Sequence, residues 1–207
     1  MRFRVAIFDC DGVLFNSEQA NKAYYNKILE IMGRKPMSEQ EFEYVHMHTA
    51  KQSLSYLFPD IEQYYKAIEV ASKINYEEFI PLMKMEPGVI ETLEEIRPHL
   101  KTAISTNRST TMPKLIEEFG LDQWFDTIVC ALDVENPKPD PEGVFKILEQ
   151  LELQLDQAIY IGDSEVDQEV AEKAGIPLIA YKNPALRANF HVKHFFEIRY
   201  ILIKSNT

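Results

Sequence analysis

The sequence predicts an α/β fold whose parallel sheet is interrupted after its first strand by a helical insertion. Short apolar runs recur along the chain, and stretches with helical periodicity separate them. Residues 17–84, by contrast, contain no strand-like run, which is typical of an all-helical segment. A chain of 207 residues can bury one sizeable core and support a smaller second unit. We predict a core domain of residues 1–15 and 87–207 and a helical domain of residues 16–86.

The predicted strands are short apolar runs without alternation. Such runs are typical of strands that are buried on both faces of a parallel sheet. They cover Val5–Phe8, Thr102–Ser105, Ile128–Ala131, Ala158–Ile161 and Leu178–Tyr181.

The helices between the later strands carry their own start and stop signals. A helix over Met112–Phe119 is expected to end before Gly120, and another over Val166–Ala174 before Gly175, because glycine readily adopts the left-handed backbone that closes a helix. Pro141 suits the first turn of a further helix.

Residues 16–86 are predicted to form four helices. Ser17 can cap the first, Ser38 and Glu41 form a capping box for another, and Asp60 can begin a long one. After Asp60, apolar residues recur at helical spacing, and we expect this stripe to belong to the core. Its members are Ile61, Tyr64, Tyr65, Ile68 and Ala71.

Composition and charge exclude several classes of protein. The chain has 22 basic and 33 acidic residues, and its net charge of -11 repels nucleic acid and anionic membranes. Its two cysteines, Cys10 and Cys130, cannot form a disulfide framework, and no apolar run approaches the length of a membrane span. Without a signal-peptide pattern, we expect a cytoplasmic protein, monomeric or weakly dimeric, that binds neither nucleic acid nor membrane.

The first polar cluster follows the first strand directly. Asp9 and Asp11 lie two residues apart where ligands of open parallel sheets bind, at the carboxyl ends of the strands. Gly12 allows a sharp turn that exposes backbone amides. Two carboxylates this close are unfavourable unless a cation or a shared proton relieves their repulsion.

Three further polar clusters lie beyond later strands. Thr106 and Asn107 offer a hydroxyl and an amide for phosphate oxygens, and Lys138 lies between prolines that restrict its backbone. Asp163 and Asp167 share one face at the start of a helix. Each cluster alone is compatible with an ordinary cap or loop, but four such clusters at strand ends are poorly explained by coincidence.

Taken in this order, the four clusters resemble the motifs of the haloacid dehalogenase superfamily. They are most similar to its phosphoglycolate phosphatase and β-phosphoglucomutase branch, which carries a helical cap, and the resemblance extends to about Tyr181. It implies a Rossmann-like three-layer αβα core with a parallel sheet and an inserted helical cap. It also implies a Mg²⁺-dependent phosphatase that acts on a small phosphorylated metabolite, of the phosphoglycolate or sugar phosphate class, through an aspartyl-phosphate.

The resemblance also implies a role for each motif residue. Asp9 would attack phosphorus, and Asp11 would protonate the leaving oxygen and later activate water. Asp9, Asp163 and the backbone carbonyl of Asp11 would ligate Mg²⁺, while Asp167 would hold metal-bound water or orient Lys138. The phosphoryl group would be held by Thr106, Asn107 and Lys138.

The sequence departs from the family pattern in the first connection of the cap. Relatives carry a glycine and, four residues on, an arginine, where this chain has Met47 and Lys51. His48 and Lys51 are therefore candidate specificity residues, and a solvent-facing loop is an equally good interpretation.

Three alternatives to the phosphatase differ in how well the motifs support them. A phosphomutase shares every motif and stays the main alternative. A dehalogenase of this fold lacks the second motif aspartate, so Asp11 together with Asp163 argues against it. A non-catalytic binding protein would be expected to lack a charged motif residue, and none is lost here.

Overall fold

The computed structural model describes residues 3–47 and 50–204, and the chain divides into two compact units. One unit comprises Met1–Asn16 and Met85–Thr207, and the other comprises Ser17–Lys84. No helix among the described residues is long and apolar enough to cross a membrane.

A parallel sheet of six strands, counted over the described residues, forms the centre of the first unit, in the order β5-β4-β1-β6-β7-β8. Two further strands, β2 and β3, pair in a separate two-stranded sheet. The strands are β1 (Val5–Phe8), β2 (Phe15–Asn16), β3 (Lys84–Met85), β4 (Lys101–Ser105), β5 (Thr127–Val129), β6 (Ala158–Gly162), β7 (Leu178–Tyr181) and β8 (Phe190–Val192).

The predicted α/β class is confirmed, and each of the five apolar runs overlaps a strand. One prediction within it is wrong, since β5 ends at Val129 and Cys130 lies outside the strand. Cys130 instead precedes a 3₁₀ turn over Ala131–Asp133, where its backbone N–H donates to the carboxylate of Asp133 over 2.8 Å. The sequence does not predict β8, because this strand has only three residues and His191 interrupts its apolar character.

The helices are α1 (Glu18–Ile31), α2 (Glu39–Met47), α3 (Ala50–Leu57), α4 (Ile61–Lys73), α5 (Val89–Ile96), α6 (Met112–Phe119), α7 (Glu142–Leu151), α8 (Glu165–Ala174) and α9 (Phe195–Lys204). As predicted, α6 and α8 end at glycines in the left-handed conformation, Gly120 and Gly175.

Helices cover both faces of the sheet in the first unit. Ile7 and Tyr160 pack in one apolar cluster with Val144 of α7 and Val170 of α8. Successive side chains of a strand point to opposite faces, and Phe8 accordingly stacks on Phe195 of α9. This is the three-layer αβα arrangement that the resemblance implies.

The second unit buries a separate apolar cluster. Its members include Tyr25 and Leu29 of α1, Phe42 of α2, Leu57 of α3 and Ala67 of α4. Burial of apolar side chains within each unit stabilises that unit by its own hydrophobic effect. The interpretation of this unit as a cap over the site stays a prediction.

Two of the three predicted helix starts in the second unit have the expected hydrogen bonds. The carboxylate of Glu41 accepts from the backbone N–H of Ser38, and the Ser38 hydroxyl accepts from the N–H of Glu41. Asp60 caps α4 by accepting from the N–H groups of Glu62 and Gln63. Ser17 precedes α1, but its side chain makes no capping hydrogen bond.

The expectation that the apolar stripe of α4 is core is wrong for much of the stripe. Ile61 and Tyr65 are 61% and 63% exposed, and only Ala67 of this helix is fully buried. Tyr64 and Ala71 are partly buried against the cluster. The helix therefore packs through a narrower face than its apolar spacing suggests.

Candidate active site

The carboxyl ends of β1, β4 and β6 converge at the middle of the sheet. Phe8, the last residue of β1, pairs with Ile104 on one side and with Ile161 on the other. Asp9 therefore emerges between the ends of β4 and β6, and its backbone N–H donates to the carbonyl of Ile161. β1 is also where the strand order reverses direction, the position at which open α/β sheets bind their ligands.

Lys138 joins two of the predicted site residues. Its Nζ lies 2.6 Å from Oδ1 of Asp9 and 2.7 Å from Oδ1 of Asp167. The side chains of Lys138 and Asp9 are 7% and 11% exposed, and that of Asp167 is fully buried. The amide of Asn107 donates to the backbone carbonyl of Lys138 over 2.9 Å, which helps to hold the loop in place.

Tyr160 also contacts this lysine, and the sequence reasoning missed it. Nζ of Lys138 donates to its hydroxyl over 3.1 Å, and the hydroxyl lies 3.2 Å from the carbonyl of Ser105 and 3.3 Å from Oδ1 of Asp167. Burial raises the pKa of Tyr160 well above its usual value, so the hydroxyl keeps its proton. A tyrosine within an otherwise aliphatic strand was the available signal, because a buried hydroxyl requires a partner.

Burial and the opposite charge of the partner act in opposite directions on the pKa values of Asp9 and Lys138. Burial raises the pKa of Asp9 well above its usual value and the nearby carboxylates add to the effect, whereas the Lys138 ammonium opposes it. Burial acts to lower the pKa of Lys138, but the carboxylates of Asp167 and Asp9 outweigh it and the pKa is raised. Lys138 is therefore a fixed positive charge beside Asp9.

Asp167 uses both carboxylate oxygens on protein donors. One oxygen accepts from Lys138, and the other accepts from the hydroxyl of Ser164 over 2.6 Å and from the backbone N–H groups of Asp163 and Ser164 over 3.2 Å each. Ser164 and Asp167 form a capping box at the start of α8. Asp167 therefore contacts Lys138 directly, and its two predicted roles, holding metal-bound water or orienting Lys138, stay predictions.

Asp163 lies beside this network without an ion pair among the described residues. Burial raises its pKa to about 7, and the charge of Asp167 adds to the effect. A Cβ on Gly12 would lie 2.1 Å from Oδ2 of Asp163, so only glycine allows the turn after β1 to approach this carboxylate. The backbone carbonyl of Asp163 accepts from the amide of Asn183.

Asp9, Asp163 and Asp167 together could hold a cation. Each offers a carboxylate oxygen, and these atoms lie within 4.8 Å of one another. Within the described part of the chain, Lys138 is the only cation in ion-pair contact with the three. Hard divalent cations prefer oxygen ligands, so the donor set fits such an ion and would gain from its charge.

The Asp11 side chain is not part of this cluster. Its two oxygens accept from Nε and Nη2 of Arg108 over 2.7 and 2.6 Å, a bidentate ion pair. The Arg108 side chain is 8% exposed and that of Asp11 is 38% exposed. The sequence reasoning missed Arg108, although it directly follows Thr106 and Asn107.

The other predicted phosphate-binding and specificity residues differ in their burial. Thr106 is buried beyond β4, and its hydroxyl accepts from the backbone N–H of Arg108 over 3.1 Å. Asn107 is exposed. Lys51 is exposed on α3 of the second unit, and His48 lies outside the described residues.

Comparison with known proteins gives consistent results. The family model described as haloacid dehalogenase-like hydrolase matches residues 6–181. The chain is 32% identical over 181 residues to a phosphorylated carbohydrates phosphatase of Thermotoga maritima, covering 84% of this chain and 82% of that protein. It is 31% identical over 183 residues to a phosphoglycolate phosphatase of Rhodobacter capsulatus, with the same coverage of both chains.

A solved structure is similar over nearly the whole chain. It is a HAD-superfamily hydrolase, subfamily IA, variant 1, from Geobacter sulfurreducens, with a TM-score of 0.86 and 39% sequence identity. The match covers 97% of this chain and 96% of that one.

Proposed function

This chain belongs to the haloacid dehalogenase-like hydrolase family and is a phosphomonoesterase, and we propose that it is a Mg²⁺-dependent enzyme that forms an aspartyl-phosphate on Asp9. The observation that carries the proposal is the convergence of Asp9, Asp163 and Asp167 around the buried Lys138. The substrate is a small phosphorylated metabolite of the phosphoglycolate or sugar phosphate class. Relatives named for phosphorylated carbohydrates and for phosphoglycolate support this class.

In the first step, a carboxylate oxygen of Asp9 attacks phosphorus and the bond from phosphorus to the ester oxygen breaks. Asp11 gives its proton to the departing oxygen. An anionic nucleophile and an anionic phosphate repel each other, and the ammonium of Lys138, 2.6 Å from Asp9, offsets that repulsion. Thr106, buried just beyond β4, would hold a phosphoryl oxygen.

In the second step, water attacks the phosphorus of the aspartyl-phosphate, and Asp11 takes the proton that the water loses. The bond between phosphorus and the Asp9 oxygen breaks, so inorganic phosphate leaves and Asp9 is regenerated as a carboxylate. Asp167 positions Lys138 throughout, because Ser164 and two backbone N–H groups hold its other oxygen.

Mg²⁺ would be held by Asp9 and Asp163, with Asp167 adjacent and the backbone carbonyl of Asp11 as a further oxygen ligand. When bound, it supplies positive charge for the phosphoryl oxygens and relieves the repulsion among the carboxylates.

We also propose that the enzyme works in the cytoplasm on a small molecule and not on nucleic acid. The net charge of -11 supports the second point, and the two cysteines outside any disulfide are compatible with a reducing compartment.

Replacing Asp9 by asparagine tests the proposal. We expect Asp9→Asn to reduce Mg²⁺-dependent phosphate release by about 10³-fold or more, because an amide cannot serve as this nucleophile. Acid quenching during turnover, followed by mass spectrometry of the peptide that contains residue 9, should find phosphate on the wild-type chain only. The matched control is Asp156→Asn, the same substitution at an exposed aspartate.

Phosphate on residue 9 of the variant, or unchanged turnover, would contradict the assignment. A substrate with a labelled phosphoryl group separates the phosphomutase alternative. A mutase would return labelled phosphate on an isomerised sugar phosphate, whereas a phosphatase releases it free.

A further inference from the structure

We propose that Arg108 selects substrates whose leaving group carries a second anionic group, a carboxylate or a phosphoryl group, which takes over the hydrogen bonds that Asp11 now accepts. The inference rests on the proposed function of this site and names its substrate class. It requires no further cofactor.

The position of Arg108 is set by its backbone as well as by its side chain. Its N–H donates to the hydroxyl of Thr106 over 3.1 Å, and its carbonyl accepts from the N–H of Ala131 over 2.8 Å. From this anchored backbone the guanidinium reaches Asp11 with two short hydrogen bonds, and Nη1 lies 3.4 Å from the hydroxyl of Thr111. The arginine is therefore a fixed donor at the edge of the candidate site.

The burial of the two partners indicates which one moves. The side chain of Arg108 is 8% exposed, whereas that of Asp11 is 38% exposed. Asp11 can turn away with little loss of packing, while Arg108 is enclosed and stays. An exchange of partners on a stationary guanidinium is the simpler motion.

The proposed reaction makes this exchange necessary. To act on the ester, Asp11 must turn an oxygen towards the leaving group, and both of its oxygens are now held by Arg108. The leaving oxygen would then lie one hydrogen bond from Asp11, so a group two or three bonds further along the substrate is within reach of the same guanidinium. Arginine binds carboxylate and phosphoryl oxygens in the same bidentate manner.

A neutral leaving group would be disfavoured at such a site. Asp11 would either stay on Arg108, away from the ester, or give up two short charge-assisted hydrogen bonds with nothing in their place, which is costly. A second anion on the substrate avoids both outcomes. Arg108 thus links recognition of the leaving group to the release of Asp11.

Matched esters test the proposal. The probes are 2-phosphoglycolate, which carries a carboxylate, and 2-hydroxyethyl phosphate, which has a neutral hydroxyl at the same position. Pyrophosphate serves as the phosphoryl-bearing probe. The quantity measured is the ratio of kcat/KM for each anionic probe to that for 2-hydroxyethyl phosphate, with Mg²⁺ present, in the wild type, Arg108→Gln, Arg108→Lys and Arg187→Gln.

We expect the wild-type ratio for at least one anionic probe to exceed about ten, and Arg108→Gln to reduce it by about tenfold or more, which is the range of a hydrogen bond to a charged group. Arg108→Lys should keep part of the preference, since an ammonium retains the charge without the bidentate geometry. Arg187→Gln makes the same charge change at an exposed arginine and should leave the ratio unchanged. The probe whose ratio falls further identifies the second anion as a carboxylate or a phosphoryl group.

Two results would overturn the inference. One is equal kcat/KM of the wild-type enzyme for anionic and neutral probes. This result comes from the wild type alone and does not depend on any variant folding. The other is a set of Arg108 variants that slow all probes by the same factor, as a purely structural role of the arginine would. A wild-type chain that releases no phosphate from any probe would instead contradict the proposed function.

Discussion

Lys138 is the residue on which the charge balance of the site depends. A buried ammonium is costly unless it is paired, and here two carboxylates and a tyrosine hydroxyl contact it. Asp163 has no ion pair among the described residues, and burial raises its pKa to about 7, although the charge of Lys138 opposes the rise. In the absence of metal, the free energy of unfolding should therefore depend on pH.

We predict that in a chelator the free energy of unfolding falls as pH rises from about 5 to 8. The folded pKa of Asp163 is about 7, above its usual 3.8, so the folded state binds the proton more tightly and loses this advantage as pH rises through 7. Since one pKa unit corresponds to about 1.4 kcal/mol, we expect a change of roughly 2 to 3 kcal/mol after allowance for solvent screening. Urea unfolding at both pH values measures it.

Asp163→Asn provides the comparison for this prediction. The variant has no proton to lose at this position, so its stability should change less between pH 5 and 8 than that of the wild type. Added Mg²⁺ should stabilise the wild type at pH 8 more than the variant. An identical pH dependence of the two proteins would contradict the prediction.

At the scale of elements, the turn after β1 must approach the start of α8 closely. Gly12 has φ of +81°, and a Cβ there would lie 2.1 Å from the Asp163 carboxylate. Gly175, at the end of α8, also has a positive φ, +70°, but a Cβ there would meet no side chain of the described residues within 4 Å. Both glycines therefore have the left-handed backbone, but only Gly12 lies too close to another side chain to carry a Cβ.

We predict that Gly175→Ala destabilises the protein by about 1 to 2 kcal/mol, the cost of a left-handed alanine. Gly12→Ala should destabilise it by more than Gly175→Ala does, because its Cβ must also displace the Asp163 carboxylate. Only Gly12→Ala should also weaken Mg²⁺ binding, by about tenfold or more, because it displaces Asp163. Thermal unfolding and metal titration by calorimetry measure the two effects separately. Equal Mg²⁺ affinity in the two variants would show that the close approach does not position a metal ligand.

At the scale of the whole molecule, each unit has its own apolar cluster. The described catalytic candidates, Asp9, Asp11, Thr106, Arg108, Lys138, Asp163 and Asp167, all belong to the first unit. Residues 17–84 form the second. The division separates the candidate chemistry from the segment that is predicted to influence substrate choice.

We predict that a chain in which a short glycine-serine linker replaces residues 17–84 still unfolds cooperatively. The apolar cluster that joins the sheet to α7 and α8 draws all its members from the first unit, so its burial survives the deletion. The shortened chain should keep measurable Mg²⁺-dependent hydrolysis of p-nitrophenyl phosphate, whose leaving group needs little assistance. Circular dichroism during heating, beside the full-length chain, tests the fold, and absence of a cooperative transition would contradict the prediction.

The sequence by itself determined the fold class and the positions of the motifs. Both depend on local patterns, since an apolar run followed at once by a carboxylate marks a buried strand and its carboxyl end. Asp9 after β1 and Asp163 after β6 are placed by this pattern alone. The sequence also predicted several helix ends, because each depends on only a few neighbouring residues. These are the ends at Gly120 and Gly175 and the capping box of Ser38 and Glu41.

Only the tertiary structure decided which side chains meet. The ion pair of Arg108 with Asp11 and the contact of Tyr160 with Lys138 join residues far apart in the chain, and no local spacing encodes them. The exposure of Ile61 and Tyr65 on α4 has the same origin. A helix can present a wide apolar face, but how much of it is buried depends on the neighbours that pack against it, and the partner of a buried charge depends on which strands bring their ends together.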